Sequence, residues 1–353
     1  MSPPERGPAG SGPRAGTLDL LVIGDCNPDV MVVGGDVTPA FGQQEKLVDG
    51  ISLEIGGSAS ITAVAAARLG LRVALAAAVG DDPAGRFMLG QLAAEGVDTA
   101  SVAVRPDVPT GMTVALSAGT DRAILTATGA LSSLTARDVP SSLLVRARHV
   151  HVSSYFLVAD TLGPGLATLL DVARAAGAST SLDTNWDPAQ RWADPRLTEA
   201  LGHIGLLLPN EAEALLLAGA PDLERAVAAL TAAGPALVVK LGERGALCAD
   251  GARRYLAEPP PVKVTDATGA GDCFNAGVIA GLLGGLDLPA AVALGCAVGA
   301  ASTRAPGGTA GSPDLATARD LARAVTVREV SSAPLGLPSG RPLPRVRTDE
   351  GGS

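Results

Sequence analysis

The stretch DATGAGD at residues 266–272 follows the β-branched run Val262-Lys263-Val264-Thr265 and leads directly into the apolar sequence CFNAGVIAGLL. It reads as a strand-to-helix junction. Gly269 and Gly271 let backbone N–H groups approach an anion there, and the first helical turn adds unpaired donors and a partial positive charge. Asp272 belongs to that same turn. Donors beside one carboxylate suit a step in which a hydroxyl loses its proton while a phosphoryl group arrives. The competing reading is local: the glycines turn the chain and Asp272 caps the helix.

Outward from this junction, short apolar strands alternate with Ala/Leu-rich helical stretches. Strands are expected at Leu18–Ile23, Val73–Val79, His149–Ser153, Ser179–Leu182, Gly205–Leu208 and Ala236–Val239. Helices are expected at Ser58–Leu69, Ala84–Glu95, Leu162–Ala176, Glu211–Ala218, Leu223–Ala233, Gly271–Leu283 and Pro289–Ser302. The alternation predicts an α/β fold, a mostly parallel sheet with helices on both faces, whose ligands bind beyond the carboxyl ends of the strands. Two stretches break it. Residues 29–55 hold strand-like segments with no helix between them, and 110–127 read as a hairpin around Gly119-Thr120-Asp121. Together they predict a small antiparallel sheet suited to act as a lid.

The chain has 353 residues, enough for one large domain with a small appendage. Hydrophobic residues make up 47% and aromatics only 2%, so a large core is available but base-stacking platforms for nucleic acid are not. A net charge of −9 also argues against a polyanionic partner. Cys26, Cys248, Cys273 and Cys296 lie far apart without ligand-like spacing and read as buried thiols of a reducing compartment. The first residues lack the apolar core of a signal peptide, and no run of about 18 apolar residues is uninterrupted. The expectation is a soluble cytoplasmic protein, with disordered tails at 1–16 and 329–353 rich in Pro, Gly, Ser and charge.

Four further constellations carry polar chemistry. IGGSAS (55–60) opens a helix at a strand end, where Gly56 and Gly57 permit close approach by a polyhydroxy ligand; the alternative is a helix start capped by Ser58. In GDCNPDV (24–30), Asn27 and Asp29 face one side of an extended chain and suit adjacent sugar hydroxyls, against an Asx turn around Pro28. In LLLPNEAEALL (206–216), Asn210 and Glu213 share a helix face and could orient Mg²⁺ through water, against a capping box. VVKLGERGALCADG (238–251) places Lys240 and Gly242 where a nucleotide could lie, against a plain hairpin. There is no G-x-x-x-x-G-K-[ST] and no G-x-G-x-x-G after the first strand. His149 and His151 read as core histidines rather than metal ligands.

In this order the pieces resemble the PfkB (ribokinase-like) carbohydrate kinase family, from about Asp19 to Val325. The resemblance rests on Asn-x-Asp after the first strand, the glycine pair, Asn-x-x-Glu, K-L-G-E-R-G and D-x-T-G-A-G-D. It implies a ribokinase-like three-layer α/β/α body over residues 17–328, with the lid from about 29–55 and 110–127. It implies transfer of the γ-phosphoryl of ATP to a primary hydroxyl of a small carbohydrate. Asp272 would be the base, and Gly269, Ala270 and Gly271 the anion hole. Asn27, Asp29, Gly56 and Gly57 would bind the sugar. Asn210 and Glu213 would organise Mg²⁺ and phosphates, with Lys240 and Gly242 along the ATP site. Asp266 and Thr268 would flank a monovalent cation such as K⁺, closed by the loop 304–312. A homodimer through the lid belongs to the same picture, although few large apolar residues mark an interface.

Departures from the family pattern bear on the substrate. Ile61 stands where members carry Asn, which removes one hydrogen bond to substrate and weakens ribose or nucleoside assignments. Ala267 replaces a hydroxyl or small residue in the signature. SLDTNWDPAQRW (181–192) resembles the D-x-N stretch of fructokinase-like and ketodeoxygluconate-kinase-like members, with Asp187 at a frequent Arg position. A nucleoside kinase of the family and a catalytically silent sugar-binding protein remain the rival readings.

Overall fold

β1 (Leu18–Ile23) is apolar at five of its six positions and buried along its whole length, as a strand covered on both faces must be. The computed structural model describes residues 18–330 apart from 119, 120 and 252; the expected N-terminal tail and most of the C-terminal one lie outside the described residues. β1 sits inside a ten-stranded sheet of order β14-β13-β12-β11-β10-β9-β8-β1-β4-β5. Its strands are β4 (Val73–Gly80), β5 (Asp98–Arg105), β8 (Ala147–Val152), β9 (Ser179–Leu182), β10 (Leu206–Leu207), β11 (Ala236–Lys240), β12 (Ala246–Asp250), β13 (Arg253–Glu258) and β14 (Thr326–Glu329). From β5 across to β11 every pairing is parallel, and β12 to β14 add an antiparallel edge. Glu329 pairs with Tyr255, so the ordered chain runs one residue beyond the expected boundary.

Side chains of β1 alternate between two cores. Leu21 and Ile23 face one, with α4 (Tyr155–Ala175), α5 (Pro195–Leu201), α6 (Glu211–Ala218), α7 (Leu223–Ala232) and the short α3 (Ser141–Leu144). Leu20 and Val22 face the other, with α1 (Ser58–Arg68), α2 (Pro83–Ala94), α8 (Ala270–Leu283), α9 (Leu288–Ser302) and α10 (Leu315–Ala322). Burying one such Leu, Ile or Val contributes about 1.5–3 kcal/mol, so the alternation fixes the three layers. Helices α8 and α9 approach very closely: a Cβ on Gly277 would lie 2.8 Å from the Gly295 Cα.

The expected strands and helices are present with ends shifted by a residue or two, except α4. It starts at Tyr155, not Leu162, and runs through Gly163-Pro164-Gly165. The proline removes one intrahelical N–H and sets the expected start just ahead of the triplet. The helix continues because Tyr155, Phe156, Val158, Ala159 and Leu162 are all buried against the sheet. By length and hydropathy α4 could cross a membrane, but half of its apolar window is buried inside the protein.

The lid is a second sheet of order β3-β2-β6-β7, formed by β2 (Asn27–Val33), β3 (Gly50–Gly56), β6 (Met112–Ala118) and β7 (Asp121–Ala127). It is mixed rather than antiparallel. Two antiparallel pairs are joined by a parallel pairing of β2 with β6, because the segment between them crosses the body and returns in the same direction. The tip residues 119 and 120 of the expected hairpin lie outside the described residues.

At the amino ends of the central strands, Asp19 accepts from Arg72 Nε at 2.8 Å and from Arg148 Nη1 at 3.2 Å. The Arg72 hydrogen bond holds the Asp19 carboxyl down at about 2. A carboxylate whose folded pKa is depressed contributes stability above its unfolded value, near 3.9, and loses it as pH falls. In urea titrations Asp19→Asn should be less stable than wild type above about pH 4. The difference should shrink as pH falls from there and be gone below about 2.

Candidate active site

The strand order reverses beside β1, and the loops leaving the carboxyl ends of β1, β8, β9, β10 and β11 converge at that point. α8 begins over them. Gly269 is its N-cap at φ 68°, a left-handed conformation that suits glycine, and no side chain caps the helix. Asp272 is therefore not a cap. Its carboxyl is buried, and burial pushes it well above the usual carboxylate range; the charges of Asp183 and Asp25 push the same way and Lys240 opposes them. An acid on a first helical turn is expected to stay ionised through the helix dipole. Burial outweighs the dipole here, which makes the carboxylate a stronger proton acceptor.

The donors expected to form an anion hole belong to the same turn. The N–H groups of Gly271 and Asp272 precede the first intrahelical acceptor. That of Ala270 leans back to the Ala267 carbonyl at 3.3 Å. The ammonium of Lys240 approaches this turn: a Cβ on Gly271 would lie 3.5 Å from its Nζ. Lys240 ends β11 and is ion-paired with Asp183, which is fully buried after β9 and accepts from Asn275 Nδ2 at 2.6 Å. Asp183 was not singled out by its sequence context, because its partners come from elements 57 and 92 residues away.

Asn210 and Glu213 lie beside the pair, and their bland reading is observed. Asn210 caps α6, and the buried Glu213 carboxylate accepts from Asn210 N at 2.8 Å and Nδ2 at 2.7 Å. Burial, then the charge of Asp183, raises its carboxyl to about 7, against the pull of Lys240. A buried carboxylate beside phosphate-sized donors fits a hydrated divalent cation, since the capping box leaves lone pairs free. Gly242 lies exposed in the turn after β11, apart from the buried cluster.

On the sugar side, Asn27 is the first residue of β2 rather than part of a turn. Its Nδ2 donates to Asp29 Oδ1 and to Thr113 Oγ1, each at 3.1 Å. Thr113, in β6, completes a polar trio that motif reading missed. Asn27 pairs with Gly56 across the lid, and a Cβ on Gly56 would overlap the Asp29 carboxylate. Gly57 starts α1 at φ 78°. The cap of that helix is not Ser58: Asp25 accepts from Ser58 N at 3.1 Å and Ala59 N at 2.8 Å.

Ile61 is buried against the loops that carry the anion hole. A Cβ on Gly269 would lie 3.0 Å from it, and one on Gly308 only 2.6 Å. Asp266 accepts from Thr268 N and Oγ1 at 2.9 and 2.7 Å and from Gly307 N at 2.9 Å, tying the 304–312 loop to the signature. Asp187 is turned inward, accepting from Ala189 N at 2.9 Å and from Arg191 N. The histidines are core residues: His149 and His151 both contact Ser181 Oγ, and burial depresses their pKa values to about 3 and about 4.

The family profile described as pfkB family carbohydrate kinase matches residues 17–315. The chain belongs to that family. Ribokinase of Haemophilus influenzae is 28% identical over 306 residues, 83% of this chain and 95% of that protein. The 2-dehydro-3-deoxygluconokinase of Bacillus subtilis is 32% identical over 285 residues, 75% of this chain and 86% of that protein. An Escherichia coli protein assigned as a ribokinase II, solved with ATP and Mg²⁺, superposes with a TM-score of 0.77 at 26% identity, covering 87% of this chain and 99% of that one. The PfkB kinase body with its β-sheet lid is thus common to this chain and its relatives.

Removing one member of the ion pair beneath the helix isolates its cost. Lys240→Met should destabilise the protein by about 3–5 kcal/mol, because it leaves Asp183 charged and buried. Adding Asp183→Asn to that variant should recover part of the loss in the same denaturation assay.

Proposed function

We propose that this chain is an ATP- and Mg²⁺-dependent kinase of a small carbohydrate, acting on a primary hydroxyl. The observation that carries the reading is the placement of a buried carboxylate, Asp272, on the first turn of an α8 whose N-terminal N–H groups no side chain caps. The sugar hydroxyl would give its proton to Asp272 as its oxygen attacks the γ-phosphorus of ATP, while the bond from that phosphorus to the bridging oxygen breaks and ADP leaves with the electron pair. Charge developing on the transferring group is met by the N–H groups of Gly269, Ala270 and Gly271 and by Lys240. Asn210 and Glu213 would hold Mg²⁺ through water, and the metal would supply neutralisation of phosphate charge. Lys240 and Gly242 border the nucleotide. A monovalent cation such as K⁺ belongs beside Asp266 and Thr268, on the loop braced to Gly307. Closure of the lid excludes water and limits wasteful hydrolysis.

A small sugar is favoured over a nucleoside by the lid's own residues. A base needs an apolar or aromatic platform, and the lid offers chiefly Phe41, which is 95% exposed, Met31 and Met112. The four cysteines, buried and unpaired, support a reducing cytoplasmic location. ATP consumption by the full chain should appear with at least one member of a panel of aldoses, ketoses, sugar acids and nucleosides. Asp272→Asn should keep the fold and lose at least about 10²–10⁴-fold in turnover. Turnover close to wild type in that variant overturns the assignment of the base, and a silent wild type favours a binding protein.

The homodimer reading is supported by one face of the lid. Register places Ile51, Leu53, Val30, Val32, Val114, Leu116 and Leu125 together, opposite the face that carries Asp29 and Thr113. Ile51, Leu53 and Leu125 are 67%, 43% and 64% exposed, an aliphatic face that supports the dimer reading even though few large apolar residues mark an interface in the sequence. A second copy of this lid fits an aliphatic sheet face of that kind. Light scattering should give a dimer for wild type and a monomer for Leu125→Lys, with ATP consumption of the monomer changed less than its assembly.

A further inference from the structure

Register places a polar row across one face of the lid. Glu54 lies opposite Asp29 in the pairing of β3 with β2, Asp29 beside Thr113 of β6, and Thr113 opposite Thr126 of β7. Hydrogen bonds fix the common face: Asn27 Nδ2 donates to Asp29 Oδ1 and to Thr113 Oγ1, and the Thr113 and Thr126 hydroxyls meet at 3.2 Å. Residues directly opposite in an antiparallel pair share a face with Cβ atoms about 4.5–5.5 Å apart, and like charges so placed are destabilising. An acid opposite an acid therefore needs a reason outside the sheet.

The Glu54 side chain crosses from the lid to the body and packs on the 304–312 loop. A Cβ on Gly307 would lie 3.5 Å from its Cγ, Cδ and Oε2. Gly307 is the residue whose N–H Asp266 of the signature holds at 2.9 Å, and its neighbour Gly308 packs against Gly269, the N-cap of α8. The polar row therefore faces the body, and Glu54 carries it up to the loop that brackets the candidate anion hole. Among the described residues no hydrogen bond or ion pair engages the Glu54 carboxylate. Cations of the lid and the loop are committed elsewhere. Lys46, between β2 and β3, is paired with Asp36 at 2.5 Å; Arg68, which donates to the Thr309 carbonyl of the loop, is paired with Glu95 at 2.7 Å. Arg304, at the start of the loop, is exposed, and the row itself contains no Lys or Arg.

We propose that Glu54 is a specificity-determining residue, whose carboxylate admits acceptors that meet it with hydroxyl or amino donors and rejects acceptors that carry a carboxylate or phosphate. The inference rests on the kinase reading for the acceptor's place between lid and body, and deepens it by naming the acceptor's charge. A hydroxyl can donate to Glu54, and an ammonium can do so with the added strength of charge. An anionic acceptor would set like charge beside a carboxylate in a space from which lid closure expels water, where salt and solvent screen least. Recognition of an acid or a phosphate calls for Arg or Lys, which the row lacks. The acid-against-acid placement of Glu54 and Asp29 is then a device of rejection, held at some expense to the sheet.

The test uses the full chain, Glu54→Gln and Glu54→Asp, with acceptors matched in carbon skeleton: glucose, gluconate and glucosamine, and the corresponding galactose and ribose sets. Thermal unfolding reports whether each variant folds. Calorimetry without nucleotide measures binding, and ATP consumption measures turnover. In at least one set, wild type should bind the neutral or amino member at least about 10-fold more tightly than the acid, the size expected of one poorly screened like-charge contact. Glu54→Gln should lower that ratio about 10-fold, chiefly by improving the acid, and in turnover the change should fall on KM rather than kcat. Glu54→Asp, which keeps the charge, should keep most of the ratio. A ratio unchanged in Glu54→Gln overturns the proposal, as does a wild type that binds none of the uncharged or amino sugars or binds an acid as tightly. A wild type that discriminates in binding yet consumes no ATP overturns the kinase reading instead. One that phosphorylates acid and neutral members equally well keeps the kinase reading and overturns this one.

Discussion

Asp183 is fully buried, and its charge is tolerated because the Lys240 ammonium and the Asn275 amide both point at it. Much of the site follows from that arrangement. A sheet covered on both faces has no room for charge within its strands, so ionised groups gather where the strands end. The carboxyl ends of β9 and β11 supply the two charges, and α8 supplies Asn275 from above. The pair thereby fixes the height of α8 over the sheet and with it the position of the anion hole. Lys240 is shared, its ammonium paired with Asp183 while it also faces Glu213 and Asp272. It remains close enough to Gly271 to favour a phosphoryl group's charge.

Burial also sets the chemistry of the two acids that face this cluster. Asp272 and Glu213 both have carboxyls raised by desolvation first and by Asp183 second, with Lys240 opposing. One ammonium thus moderates three carboxylates. A base of raised pKa accepts a proton from a weakly acidic hydroxyl more readily than an exposed aspartate would, provided it is ionised when the sugar arrives.

The body was legible because its signals are local. Strand β9 and helix α6 match their expected bounds, as does β1, since a continuous apolar run and a capping box need no distant partner. What was missed depends on the third dimension. Helix α4 begins at Tyr155 rather than Leu162 because its first two turns are buried, and no window of sequence reveals what covers them. The cap of α1 comes from Asp25, 33 residues before Ser58, rather than from the serine at the helix start. Thr113 reaches Asn27 across 86 residues of chain. Asp183 lay in a stretch read only for family resemblance, and its role depends on which strands lie next to β9.

Ile61 shows how a family position can change its meaning without disturbing the fold. A hydrogen-bonding side chain at this place would have to find a partner or leave a buried polar group unsatisfied, at a cost of about 1–3 kcal/mol. Isoleucine instead fills the space between Gly269 and Gly308, so the two loops that bracket the anion hole close on an apolar wedge. Gly269 takes a left-handed conformation above that wedge, where any Cβ would meet the Gly308 backbone at 2.8 Å. The geometry of the donors is therefore set by packing from below rather than by a polar contact from the sugar side. In the proposed kinase reading, selectivity for the acceptor then falls to the polar trio of the lid, Asn27, Asp29 and Thr113. They hydrogen-bond one another, so a sugar that replaces those bonds with its own hydroxyls is the one the lid can close upon.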